Sequence, residues 1–153
     1  MKTQRILCIL ALALLLFART AVAAEMAAIA GDDINMRSGP GTEHKILWKL
    51  DSGFPVEIVG TKGEWIQVKD FEDSTGWVHK KAIQKTPFVI VKANKGTEQQ
   101  VNVRKEPDSN AAVVAKAGYG VVFKTLEKKD GWVKVEHGHG VTGWVDGRLL
   151  WGL

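Results

Sequence analysis

Apolar and polar positions alternate along much of this chain in short runs that end at turn residues. Residues 54–60 (FPVEIVG) and 65–69 (WIQVK) keep a period of two and are separated by Thr61-Lys62-Gly63-Glu64. Residues 121–126 (VVFKTL) and 132–136 (WVKVE) do the same across residues 127–131, which contain the turn pair Asp130-Gly131. Such alternation, rich in β-branched side chains and closed by Gly and Asp at short spacing, predicts an all-β sandwich or barrel. Ser38-Gly39-Pro40-Gly41 and Glu106-Pro107-Asp108 mark a longer irregular loop after the strand that precedes each. Beyond the N-terminal stretch, no window of helical length sustains a 3.6-residue period.

The pattern occurs twice. Residues 34–83 lie over 101–150 at an offset of 67 positions without a gap. Identical pairs include Asn35/Asn102, Arg37/Arg104, Pro40/Pro107, Lys49/Lys116, Gly53/Gly120, Trp65/Trp132, Val68/Val135, and the run Thr75-Gly76-Trp77-Val78 with Thr142-Gly143-Trp144-Val145. A period this long exceeds the 20–50 residues typical of stacked solenoid units. It predicts two small domains with a core each, at residues 24–86 and 87–153. The short connection at residues 84–87 predicts a preferred orientation between them.

The first 23 residues read separately. Lys2 and Arg5 precede the apolar stretch at residues 6–17, and Ala21-Val22-Ala23 supplies small residues at the −3 and −1 positions of a cleavage site. This is the layout of a secretory signal peptide, residues 1–23. The stretch falls short of the roughly 20 residues a spanning helix needs, so no stable membrane insertion is expected after cleavage; an uncleaved anchor is the alternative. Cys8 lies near the start of the stretch, where a lipidated cysteine would not. The expected location is therefore exported, in the periplasm or at the cell wall and cell exterior.

Cleavage also changes the charge. The whole chain carries 21 basic and 17 acidic residues. Losing Lys2, Arg5 and Arg19 leaves 18 against 17, so the basic character that would suggest nucleic acid belongs largely to the leader. Cys8 is the only cysteine, so the remaining chain has no thiol nucleophile, no cysteine-ligated metal and no disulfide.

The repeated residues resemble the bacterial SH3 domain family. Its opening N-x-R-x-x-P stretch is present as Asn35–Met36–Arg37–Ser38–Gly39–Pro40 and Asn102–Val103–Arg104–Lys105–Glu106–Pro107. Its middle strand matches residues 65–68 and, with the glycine, 131–135. Its closing G-W-V strand matches Gly76-Trp77-Val78 and Gly143-Trp144-Val145, running on to Ala82-Ile83 and Leu149-Leu150. Glu64 replaces the usual glycine before Trp65, and Glu106 replaces the glycine found at Gly39, which bears on loop shape. The resemblance implies an all-β chain of two tandem small SH3-like β-barrels. It also implies a non-catalytic binding protein that recognises cell-wall peptidoglycan through its peptide or glycan, or else an adaptor for an envelope protein or peptide.

Parity places the candidate site. Ile66, Val68 and Val78 share one face and Trp65, Gln67 and Trp77 the other; Val133, Val135 and Val145 oppose Trp132 and Trp144 in the same way. With the aliphatic set inside the barrel, all four tryptophans point out of it, beside Asn35 and Arg37 or Asn102 and Arg104. An outward indole supplies large contact area and one N–H donor, so Trp65, Trp77, Trp132, Trp144, Asn35, Arg37, Asn102 and Arg104 form the candidate ligand-binding set. The tryptophans could equally cap a barrel end or pack between the modules, and Asn and Arg could serve the loops instead, with Arg tying a loop to a carboxylate. Trp48, opposite Ala115, is specific to the first module. Trp151 is expected to pack the chain end.

Other chemistry finds little support. No nucleophile and positioned base recur, and no Gly-rich phosphate cradle opens a helix, so neither an enzyme nor a cofactor is expected, and no nucleic acid. His137-Gly138-His139 has metal-like spacing, but two ligands without a third are weak, so it reads as a loop tip and no metal is expected.

Overall fold

The computed structural model describes residues 24–138 and 140–153. The expected leader, Cys8 and His139 lie outside the described residues. Among the described residues, fourteen strands form two seven-stranded sheets, one per repeat. The first sheet contains β1 (Glu25–Ile29), β2 (Ile34–Arg37), β3 (Ile46–Leu50), β4 (Pro55–Lys62), β5 (Trp65–Lys69), β6 (Thr75–His79) and β7 (Ile83–Gln84). The second contains β8 (Phe88–Val91), β9 (Val101–Arg104), β10 (Val113–Ala117), β11 (Val122–Lys129), β12 (Trp132–Glu136), β13 (Thr142–Asp146) and β14 (Leu150–Trp151). The spatial orders, β3-β2-β6-β5-β4-β1-β7 and β10-β9-β13-β12-β11-β8-β14, are identical, and every pairing is antiparallel. One 3₁₀ turn precedes the last strand of each sheet, at Lys80–Ala82 and Gly147–Leu149.

The all-β expectation holds, and period-two alternation is its physical basis: Met36, Val68, Val78, Val133, Val135 and Val145 are all buried. Ala27, Ile29, Leu50 and Val56 complete the first core; Val89, Val91, Val103, Phe123 and Leu150 contribute to the second. Removing each of these side chains larger than alanine from water stabilises the fold by about 1.5–3 kcal/mol, which suits modules without disulfides. Four strands, β1, β3, β8 and β10, escaped the sequence pattern. β1 and β8 precede the gapless repeat because the loop after β8, residues 92–100, is longer than its counterpart at residues 30–33.

Turn chemistry also differs from expectation. β4 continues to Lys62, which pairs with Trp65, so the first hairpin turns on Gly63-Glu64 alone. In the second copy Lys129 pairs with Trp132 around Asp130-Gly131, both at positive φ (48° and 81°), as the favoured two-residue hairpin requires. The glycine of each G-W-V strand has a packing cause. A Cβ on Gly143 would lie 2.6 Å from Val103 Cγ1 and 2.8 Å from the Arg104 carbonyl oxygen.

Residues 85–87 join the sheets, and aromatic and charged contacts bridge them. Phe71 of the first module packs on Tyr119 of the second at 5.3 Å between ring centroids and lies edge-on to Phe54 at 6.0 Å. The Tyr119 hydroxyl donates to Glu72 Oε1, and Lys95 Nζ stands 2.9 Å from the same oxygen. Lys95 belongs to the longer loop found only in the second module.

Candidate binding faces

Each module presents the same outer face. In the first, Arg37 and Gln67 lie opposite Trp77 on its two sides, and Trp65 lies opposite His79. The Trp65 and His79 rings meet edge to face, 5.6 Å apart. In the second, Arg104 and Lys134 flank Trp144, and Trp132 lies opposite Asp146. The two tryptophans of a module therefore share a face without being paired to each other.

The second module gathers three of its four candidate residues around one hollow. Asn102, Arg104 and Trp132, with Ser109, Asp146 and Leu149, line a cavity of about 140 Å³. Trp144 is not among the lining residues. It occupies the outer face that parity assigns, yet only 8% of it is exposed, with Lys134 Nζ 6.0 Å from its ring centre. Trp65, Trp77 and Trp132 are half-buried.

The arginines act first on the loops. Arg37 NH1 donates to the carbonyls of Thr42 (2.9 Å) and His44 (2.8 Å), and Arg104 NH1 donates to that of Ala111 at 2.7 Å. The partners are main-chain carbonyls rather than the carboxylate expected from sequence. Each guanidinium fixes the irregular loop that borders its face. Asn35 Oδ1 is buried without a protein donor.

Asp146 is committed as well. It caps the last 3₁₀ turn by accepting from Arg148 N at 3.0 Å, and its carboxylate is gripped by the Arg148 guanidinium at 2.5–3.1 Å. The Arg148 hydrogen bonds hold its pKa below the usual aspartate value. In the first module His79 takes the capping position, its Nδ1 accepting from Lys81 N at 3.2 Å. The hollow thus offers an indole wall, an amide and a paired carboxylate, an arrangement suited to stacking and hydrogen bonding with a polar ligand.

Trp151 pairs with Ile90 in the ladder and is half-buried. Trp48 is 57% exposed on β3, the terminal strand of its sheet. His137 follows β12 and packs edge-on to Phe123 at 5.8 Å. Among the described residues no His, Cys, Asp and Glu cluster could hold a metal, and no helix is long and apolar enough to cross a membrane. Sequence reasoning missed Phe71, Glu72, Lys95 and Tyr119. The available signal was that Phe71 and Tyr119 face Gly138 and Ser52 in the repeat, an aromatic in one copy only.

With this architecture stated, comparison places the chain in a class. The chain belongs to the bacterial SH3 domain family, which it matches twice, over residues 30–85 and 97–152. It is 28% identical over 140 residues to the putative N-acetylmuramoyl-L-alanine amidase YrvJ of Bacillus subtilis (strain 168), covering 88% of this chain and 27% of that protein. It thus spans about a quarter of the relative's length. Among solved structures it is similar to an NlpC/P60 family protein from Bacillus cereus ATCC 10987 (14% identity, TM-score 0.39, 83% of this chain and 56% of that one). It is also similar to NlpC2 from Trichomonas vaginalis (12% identity, TM-score 0.38, 84% and 48%).

Proposed function

We propose that this protein is an exported, non-catalytic binder of cell-wall peptidoglycan, held on the polymer by the outer faces of its two modules. The observation that supports it most is the convergence of Asn102, Arg104 and Trp132 on one hollow in a family member whose relative is named for a muramoyl–alanine bond. Trp65, Asn35 and Arg37 hold the same strand positions in the first module. Two faces on one chain raise avidity toward a polymer with repeated sites, because the second contact becomes intramolecular. Trp77 and Trp144 lie directly across the ladder from the loop-holding arginines.

Sedimentation with purified sacculi tests the reading. The protein is expected in the pellet, and a Trp65→Ala, Trp132→Ala double variant in the supernatant. Wild-type protein that remains soluble beside sacculi removes the wall reading altogether. A double variant that still pellets removes only the assignment of the faces.

A further inference from the structure

The two modules share a fold but differ at one place that the binding faces do not use. In the second module, Val103, Ala115, Ala117, Val121, Phe123 and Val141 line an apolar cavity of about 270 Å³, with Gln100, Lys116 and His137 among its polar lining residues. At the same positions the first module carries Met36, Trp48, Leu50, Phe54, Val56 and Ser74. Met36 and Leu50 belong to its core, Phe54 packs against that core, and Phe71 lies against Phe54. The second module has Gly138 where the first has Phe71. The second copy has smaller side chains at four of the six lining positions and no ring at the Phe71 position, which leaves room there. A 150 Å³ cavity lined by aliphatic and aromatic groups holds benzene, so this one has room for an aromatic side chain.

The cavity lies beneath a sheet edge. β10 ends its sheet and pairs only with β9, leaving one row of main-chain donors and acceptors outside the ladder. Ala117 is buried and Ala115 packs on the core, both on the cavity side, with Lys116 between them. Val113 and Val114, just before them, are 44% and 48% exposed.

We infer that β10 accepts an extended peptide segment of a partner protein as an added strand. One large apolar side chain of that segment enters the cavity, and an acidic neighbour meets Lys116. Strand addition of this kind takes its affinity from main-chain hydrogen bonds and its specificity from pockets for alternate side chains. Successive residues of the added strand point to opposite faces, so the segment alternates apolar, acidic, apolar. The bulge between Val113 and Ala115 confines the straight part of the edge to Ala115–Lys116–Ala117. The corresponding edge β3 is closed to this mode because Trp48 and Leu50 stand where Ala115 and Ala117 do. The cavity shares no lining residue with the hollow proposed to hold the wall, and the peptide is a protein segment because the cavity demands a large apolar side chain.

The probe is the blocked peptide acetyl-Thr-Phe-Glu-Val-Thr-amide, titrated into isotope-labelled protein. Amide resonances of residues 113–117 and of the cavity wall are expected to shift and saturate, with at least tenfold weaker binding when the peptide's Phe is replaced by Ala. Ala115→Trp and Ala117→Leu place the first module's residues in the second and are expected to abolish these shifts while leaving sedimentation with sacculi unchanged. Lys116→Glu weakens the peptide about fivefold, as expected for a rim charge, and a peptide with Lys in place of Glu recovers the loss. Unchanged resonances at 113–117 in millimolar peptide overturn the proposal, as does undiminished binding by natively folded Ala115→Trp and Ala117→Leu. Should neither variant fold, the Lys116 charge swap decides: affinity indifferent to it overturns the proposal.

Discussion

Glu72 in the loop after β5 accepts the hydroxyl hydrogen of Tyr119, which lies 47 residues further along the chain in the other module. Lys95 approaches the same carboxylate oxygen at 2.9 Å and stands 5.9 Å from the Tyr119 ring centre. One carboxylate therefore gathers a phenol and an ammonium from two separate loops of the second module. The hydrogen bond from Tyr119, then that from Lys95, hold its pKa below the ordinary 4.5, and the same carboxylate raises that of Lys95.

A pH dependence follows from the sign of that shift. A carboxylate whose folded pKa is depressed contributes its coupling fully above the ordinary value and loses it as pH falls through the folded value. The relative orientation of the modules, measured by residual dipolar couplings, is expected to stay fixed at neutral pH and to loosen below about pH 4.5. Glu72→Gln is expected to be loose at neutral pH and to lack this acid transition. An acid transition of unchanged size in that variant would assign it to another group.

Glycine at the G-W-V strand is required more strictly in one module than in the other. In Gly143→Ala the new methyl meets the stiff Val103 side chain at 2.6 Å and a main-chain oxygen at 2.8 Å. Neither can step aside without moving β9. In Gly76→Ala the nearest atom is Cγ of the flexible Met36 at 2.6 Å, and the Arg37 carbonyl oxygen stands at 3.0 Å. Gly143→Ala is expected to cost about 2–3 kcal/mol and Gly76→Ala about 1 kcal/mol. Urea unfolding followed module by module, through resolved amide signals, checks the order.

Much of this was legible in the sequence where structure is local. Val68 and Val78 could be assigned to the interior because alternation with a period of two leaves one choice of face once the aliphatic side is taken as core. Placing Trp132 beside Asn102 and Arg104 needed only the same parity and the repeat register. β8 was not legible, because Phe88-Val89-Ile90-Val91 is a continuous apolar run without alternation. The Glu72, Lys95 and Tyr119 cluster was not legible either: it depends on how two modules sit against each other, which no pattern within either module encodes. The burial of Trp144 escaped for a related reason. Parity gives the face of a side chain but not what covers that face.

Arg37 and Arg104 are expected to act through loop order. Arg37→Met removes both hydrogen bonds to the loop carbonyls of Thr42 and His44, a loss on the order of 1–2 kcal/mol. Hydrogen exchange of residues 38–45 is expected to accelerate while the strand amides of β4 and β5 remain protected. Arg37→Lys is expected to restore little, since the shorter lysine side chain does not carry its ammonium to the Nη1 position between the two carbonyls. Accelerated exchange spread evenly over the first module would instead make Arg37 a support of the whole barrel.

The two tryptophans of the second module are expected to divide stability from binding. Trp144 is 8% exposed, so Trp144→Ala removes a covered indole and is expected to cost about 3 kcal/mol, visible as a lower melting temperature. Trp132 is half-buried and lines the hollow shared with Asn102 and Arg104, so Trp132→Ala is expected to cost about 1 kcal/mol of stability. Sacculus binding should respond in the opposite order. At a temperature where both variants are folded, Trp132→Ala is expected to lose most of its sedimentation with the wall and Trp144→Ala to keep it. If Trp144→Ala loses wall binding while Trp132→Ala retains it, the recognition surface lies around Trp144 and Lys134 rather than in the hollow.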